Sequence, residues 1–503
     1  MNPLNAIHRA VFPAMELVIG MGVAQTIATA QVYFSNHRLF AQMTAVVGAG
    51  FLPVPNLNVL PRLLDLETAF CGGLLFTLSV GAELSLLSAA AAALWRRFTE
   101  SLRSSTTMAA AAVLAVSVVC LNVHGFDVWV TLYLIAIPPA VFWLSGMSPV
   151  VRHPPPGLRW AALRFLPLAV LALGWFTQYD HSLFIDLRDH LLLSNTAGQR
   201  INSFYYRYTL YPAEVFKTFD QRLIKTVAVP SADPGSRWPA VRRELIRLDY
   251  LPVGAAPETD IGLRFEGDRL AILHRGSVIW ENTIDRFLAD PRRAASEISA
   301  GADRFELFRR VTYFGVLLAF PISLYVLLFG LLRLAAGLVM GPRRAEAAAA
   351  AACLLIGLAV LAGFHHSREN APPPGAIDAA LASDRWQERV AGLKAIRERN
   401  GDVTASPAYA RMLSSPYPQE RYWLARALGA SPNPAAFVDL VGLLDDPQIN
   451  VRTMAIEALA QRRNPRAVNP ILKFLKTSDD WYDQLYAYQA LRTNLRWDQT
   501  RLH

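Results

Sequence analysis

Cysteine is scarce in this sequence. Cys71, Cys120 and Cys353 are its only three, and each lies inside an apolar run. No CxxC, CxxCH or Cys/His zinc spacing occurs, which excludes a c-type haem attachment site and a zinc ribbon, and the apolar setting argues against a disulfide framework. The thiols read as packing residues. Charge is scarce too: 18% of residues are charged and 53% hydrophobic, too apolar an average for a soluble globular chain. Walker A, GxSxG, HExxH and paired-carboxylate patterns are all missing, so no catalytic residue, cofactor or metal ligand is nominated and the sequence leans away from an enzyme.

The net charge of +9 raises the question of nucleic acid. Residues 178–310 hold about 19 Lys/Arg against about 18 Asp/Glu, and residues 375–503 about 17 against about 14, so more than half of the excess lies in the apolar remainder. Basic residues there cluster in short loops, the mark of cytoplasmic connections rather than of a nucleic-acid groove.

A hydrocarbon core of about 30 Å takes roughly 20 apolar helical residues. Seven stretches qualify: about 10–34, 69–95, 106–123, 127–146, 160–177, 311–335 and 346–364. An eighth, about 39–60, contains FLPVPNLNVL, where Pro53, Pro55, Asn56 and Asn58 favour a re-entrant or surface-lying segment. The first span resembles a signal peptide with Ala28-Thr29-Ala30 as cleavage site, but Glu16 interrupts its apolar run, and it is read as a retained helix. The basic loops 95–103, 150–159 and 340–344 should face the cytoplasm, which puts residues 178–310 and everything after about 365 on the other side. The expected setting is a bacterial inner membrane, crossed several times, with both soluble domains extracytoplasmic. The bacterial part rests on Ala/Arg-rich composition and short loops.

Charge inside hydrocarbon costs a few kcal/mol and calls for a partner or a purpose. Glu83 is near the middle of the second expected span with no partner evident in sequence, which admits either a protonated, hydrogen-bonded role or a proton or ion path. Glu16 and Arg164 are at similar expected depth and could pair. His365-His366 point about 100° apart on a helix and do not converge on one metal. Pro138-Pro139, Pro167 and Pro321 mark kinks, and no inverted repeat accompanies them, which weakens a secondary-transporter reading.

Between the fifth and sixth spans, residues 181–219 read as mainly helical, with Phe204, Tyr205, Tyr206, Tyr208 and Tyr211 forming an interfacial belt or, alternatively, stacking on a ligand. A strand at 223–229, a helix over 238–251 and a hairpin of two alternating runs about Arg275-Gly276 then define a small α+β domain, and a helix over 284–308 returns to the membrane.

The C-terminal region aligns with itself. Arg389, Arg421 and Arg452 each follow a Leu by eight residues, with successive spacings of 32 and 31, and Gln484 takes the same place in a fourth unit after a one-residue insertion. Small and aliphatic residues recur six and seven positions on: Ala395/Ile396, Ala427/Leu428, Ala458/Leu459 and Ala490/Leu491. Each unit therefore has one buried face that its neighbour must cover. The period, the Asp/Pro-containing turn and the following Arg resemble HEAT repeats of the short kind also found in phycobilin lyases, over about a quarter of the chain. The resemblance implies that Asp384, Asp446, Arg389, Arg421 and Arg452 make structural contacts between repeats. A lyase activity would need a bilin substrate, and nothing in the sequence selects for one. The last unit lacks the Arg and is rich in aromatics, including Trp481, Tyr482, Tyr486, Tyr488 and Trp497. It reads as a cap or, with Tyr417, Tyr422 and Trp423, as a partner-binding patch.

The expected fold is mainly α: a membrane bundle of five spans over 1–177 with the Pro-rich segment near 39–60, an α+β insertion at 178–310, two spans over 311–365, a linker at 366–375 and a HEAT-like α-solenoid of about four repeats over 376–503. The expected partners are the lipid bilayer and a protein held by the repeats, with candidates Tyr417, Tyr422, Trp423, Trp481, Tyr482 and Tyr486, and no nucleic acid. The leading functional reading is a membrane scaffold or an accessory or assembly subunit. The alternatives are a transporter or channel using Glu83, with Glu16 and Arg164 as further intramembrane polar candidates, and a membrane enzyme acting on a lipid or envelope substrate near 204–211.

Overall fold

Helical periodicity dominates the computed structural model, which describes residues 3–95, 100–123, 125–147, 158–229, 236–254, 258–368 and 371–502. Two compact units emerge, each assembled from three separated stretches: Met1–Tyr33, Ala69–Leu183 and Arg304–His365 in the first, Phe34–Thr68, Phe184–Asp303 and His366–His503 in the second.

The first unit is helical. Among the described residues five helices are long and apolar enough to cross a membrane: Ala14–Gly48, Leu66–Trp95, Val128–Ser145, Glu306–Gly337 and Pro342–Ser367. The other two expected spans coincide with helices Glu100–Leu121 and Leu158–Phe176, which contain the shorter apolar stretches Thr107–Leu121 and Leu163–Phe176. The basic loops expected at 95–103 and 150–159 fall largely outside the described residues.

Helices of this composition gain little from apolar burial against one another in lipid, and here close contacts and internal hydrogen bonds join them. Gly20 faces Ser85, and Gly81 faces Ala24, so tightly that a β-carbon would not fit. Gln25 Nε2 donates to Phe70 O at 2.8 Å, Thr77 Oγ1 to Gln25 Oε1 at 2.7 Å, and Tyr133 OH to Gln31 Oε1 at 3.0 Å. Two of these apolar helices contain a wide π-turn, Thr77–Gly81 and Gly315–Ala319. Pro321 accounts for the second, because it cannot donate to the preceding turn and its ring crowds the carbonyl there. Gly315 lies against the backbone of Ser79, so the two wide turns meet.

The second unit contains a five-stranded sheet in the order β2-β1-β3-β4-β5, with β1 Lys225–Ala228, β2 Tyr250–Val253, β3 Ile261–Glu266, β4 Arg269–His274 and β5 Ser277–Thr283. β1 runs parallel to β2 and β3, with helix Trp238–Arg247 as the β1–β2 crossover, and β3, β4 and β5 form an antiparallel meander. The first alternating run is thus two strands rather than one: Gly267, at φ +61°, turns the chain at its middle. Arg275 and Gly276, both at positive φ, make the second turn, where the sequence places it. The end of the helix expected at 238–251 is β2. The helix expected over 284–308 is broken by Pro291, with Asp290 accepting from Arg293 N at 3.1 Å to cap a new helix, Pro291–Ala302. Val227, Leu245, Leu270, Ile272, Trp280 and Phe287 form the centre of the core between sheet and helices.

Four helix pairs end the chain: Ile377–Ala382 with Trp386–Glu398, Tyr409–Leu413 with Pro418–Ala430, Ala436–Gly442 with Ile449–Gln461, and Val468–Thr477 with Trp481–Thr493. Ala427, Leu428, Ala458, Leu459 and Leu491 are almost wholly buried, the interfaces that the recurring small/aliphatic positions lead one to expect.

Candidate functional site

The register arginines build the array from inside. Arg389 Nε and its second terminal nitrogen bind both carboxylate oxygens of Glu420, at 2.6 and 2.7 Å. Arg421 does the same with Asp446, at 2.6 and 2.9 Å. Arg452 reaches Asp483 through one oxygen only, at 2.8 Å. Each arginine thus crosses to the next repeat, and each also donates to the carbonyl six residues before it, Ser383, Ser415 or Asp446. Removing one partner of such a buried pair strands the other charge and costs about 3–5 kcal/mol. Asp446 is one of the expected inter-repeat residues. Asp384 is exposed and approaches Arg411 only at 3.7 Å, so the first rung uses Glu420 instead.

The third rung is the weakest. Asp483 Oδ1 is buried without a hydrogen-bond partner, and burial, opposed by Arg452, pushes the carboxyl up to about 7.

The fourth unit keeps half of the pattern. Gln484 Nε2 donates to Ser478 O, six residues back, at 2.9 Å. In place of a guanidinium reaching the next repeat, its Oε1 accepts from Asn56 N at 2.8 Å. Asn56 Nδ2 donates to Leu475 O at 2.8 Å and Ser478 O at 3.0 Å, while its Oδ1 accepts from Asn58 N at 2.9 Å. Gln499 exchanges two bonds with the Leu52 backbone, at 2.8 and 3.1 Å, and Arg62 donates to Asp479 O at 2.8 Å. Residues 52–62, which include the end of the stretch expected at about 39–60 as a re-entrant or surface segment, therefore dock on the open end of the array as a fifth unit would.

A second length of chain runs along the array. Two residues before each register position stand Gln387, Gln419, Asn450 and Tyr482, each with a polar group. Three of them bind residues 189–209. Gln419 Nε2 donates to Asp189 O at 3.0 Å, Asn450 Nδ2 to Tyr206 OH at 3.0 Å, and Tyr482 OH bonds Thr209 Oγ1 at 2.8 Å; Asn202 Nδ2 donates to Asn450 Oδ1 at 2.7 Å. At the first pair Trp386 stacks on His190 with ring centres 5.5 Å apart, and Asp186 takes ion pairs from Lys394 at 3.3 Å and Arg368 at 2.9 Å. Every pair contributes, so this segment lies on the array as a bound polypeptide does. The sheet is tied in as well: Tyr488 OH and Arg492 Nε donate to Asp249 at 2.6 and 2.9 Å.

The nominated aromatics have these places. Trp423 donates through Nε1 to Asp189 Oδ2 at 2.8 Å, and Tyr422 lies under the Arg188 guanidinium at 3.9 Å. Trp481 packs edge-on against Tyr211 and Tyr482 against Tyr206, while Tyr486 is half-buried. Tyr417 stacks on Trp386 and remains 40% exposed. In the first unit Ser145 Oγ donates to Glu16 Oε1, and Arg164 pairs with Glu346 of the last apolar helix rather than with Glu16. Glu83 Oε2 is buried with no hydrogen-bond partner among the described residues. Among those residues no group of three potential metal ligands converges. The residues missed in the sequence are Asp186, Asp189, Asn56 and Gln499. For Asp189 alone a signal was present, in Gln419 two places before the register position Arg421.

Residues 405–492 match the family model of HEAT repeats, covering the second to fourth helix pairs and two of the three rungs. No curated protein and no solved structure matches the chain. The chain is thus mainly α, with five candidate membrane-length apolar helices among the described residues, a small mixed sheet and C-terminal HEAT repeats.

Proposed function

We propose that this protein is a membrane-embedded scaffold, an accessory or assembly subunit that holds a protein partner through its HEAT repeats. In this reading, seven helices cross a bacterial inner membrane and both the 178–310 and 376–503 regions are extracytoplasmic. The observation that supports it most is the way residues 184–211 lie along the repeats, because a surface that already binds one polypeptide with polar contacts from successive repeats is built for polypeptide recognition. Since Trp423, Trp481 and Tyr482 are engaged internally, a partner meets the outward surface, where Tyr417 and Val438 are exposed.

The test is to solubilise the full-length protein gently from its native membrane, cross-link it and identify what is attached to residues 376–503. A stoichiometric partner lost on Tyr417→Ala or Val438→Asp supports the scaffold. A partnerless protein removes it.

A transport reading has one specific support: the unpartnered Glu83 oxygen lies two residues beyond the π-turn Thr77–Gly81, and π-turns concentrate at functional sites. Proteoliposomes with an internal pH dye decide it. A proton leak abolished by Glu83→Gln supports transport, and no leak, or one unchanged by the substitution, ends that reading.

A further inference from the structure

Helix Thr196–Tyr208 is amphipathic the wrong way round for a helix of a water-soluble surface. Its inward face carries Gly198, Asn202 and Tyr206, with Asn202 2% exposed and hydrogen-bonded to Asn450. Its outward face carries Ile201, Phe204 and Tyr205, 60%, 41% and 53% exposed. At about 100° per residue these three fall on one stripe, and the exposed Arg200 and Arg207 border it on one side. Asn195 caps the helix by accepting from Gly198 N at 2.8 Å, and Gly198 is required because a β-carbon there would strike the Leu192 carbonyl, so the face is held in a defined orientation.

Exposing an aromatic stripe to water while burying asparagine is unfavourable unless something covers the stripe. Three observations say what does. The segment begins at Leu183, seven residues after the apolar helix Leu158–Phe176 ends. At its other end Tyr208 OH donates at 3.0 Å to Glu67, in the first turn of the membrane-length helix Leu66–Trp95. Both ends of the segment are therefore tied to ends of apolar helices, the depth at which a bilayer meets water. Third, an aromatic and aliphatic stripe edged by arginines is the composition that settles at the boundary of acyl chains and anionic headgroups, with the guanidinium groups reaching the phosphates.

We infer that the Ile201–Phe204–Tyr205 stripe lies in the surface of an anionic bilayer, so that this helix is an in-plane membrane anchor on one side and the bound strap of the repeat array on the other. The inference goes beyond the scaffold reading and does not depend on what the repeats bind.

The experiment uses the full-length chain in nanodiscs of phosphatidylethanolamine and phosphatidylglycerol doped with a photoactivatable phosphatidylglycerol, with adducts mapped by mass spectrometry. Adducts at Ile201, Phe204 and Tyr205, absent at Asn202 and Val438, are expected, falling severalfold in Ile201→Glu/Phe204→Glu. A nitroxide on Ser203→Cys and on Phe204→Cys gives a second readout: oxygen collisions should exceed those of a water-soluble nickel chelate severalfold at 204 and not at 203. Two results overturn the proposal. One is the absence of adducts on 196–208 while the apolar helices label, with water-type collisions at 204. The other is a co-purifying protein cross-linked at 201, 204 and 205, which would make the stripe a protein interface.

Discussion

The inner repeats and the last repeat solve the same problem with different neighbours. In the inner repeats an arginine fills the turn of its own unit and crosses to a carboxylate of the next, Arg389 to Glu420 and Arg421 to Asp446. In the last, Gln484 fills the turn in the same way, six residues back, but presents a carbonyl oxygen to Asn56 N of the 52–62 segment. A guanidinium offers donors only, and the loop's amide needs an acceptor. The departure from the repeat pattern marks the place where the next unit is a different part of the chain.

That contrast can be broken from either side. Glu420→Ala leaves Arg389 charged and buried without its partner and should destabilise the array by about 3–5 kcal/mol. Hydrogen exchange of helices Trp386–Glu398 and Pro418–Ala430 in the full-length protein measures it. Asn56→Ala removes the bonds to Leu475 O and Ser478 O and should cost about 2 kcal/mol, opening helix Trp481–Thr493 with little change in Trp386–Glu398. If both helices open equally, the loop is not a terminal unit.

The third rung sharpens the comparison through pH. Asp483 is raised to about 7 in the fold from 3.8, so between about pH 4 and pH 7 the folded chain binds the extra proton. Stability in the last repeat should therefore fall as pH rises through that window, by at most about 1.4 kcal/mol per pH unit, and level off above pH 7. Asp483→Asn should flatten the profile. A smaller effect comes from Thr209→Val, which removes the partner of Tyr482 OH and should loosen the 196–216 region by about 1 kcal/mol. The smallest is Tyr417→Ala, expected to change stability by no more than about 0.5 kcal/mol while abolishing partner binding.

Much of the architecture is legible in residue patterns. The long apolar runs appear as helices, and the recurrence of Leu, Arg and Ala/Leu gives the helix pairs, because both signals are periodic and local. What escapes is whatever depends on a partner distant in sequence. Gly267 splits an apparently continuous alternating run, since a glycine in a strand pattern does not say by itself whether it bends or turns the chain. The end of a helical pattern, Tyr250–Val253, is drawn into a strand by pairing with β1. Arg164 finds Glu346, 182 residues away, rather than the Glu16 that depth alone suggests. The aromatics of the last repeat look available in sequence because the segment that covers them lies more than 270 residues earlier.

The array binds the protein's own 184–211 segment. The most direct measurement places p-benzoylphenylalanine at position 482 of the full-length protein in its native membrane and maps the photo-cross-link. An intramolecular product joining position 482 to peptide 196–216 is predicted. A cross-link to a second polypeptide instead, or none within the chain, would contradict the claim.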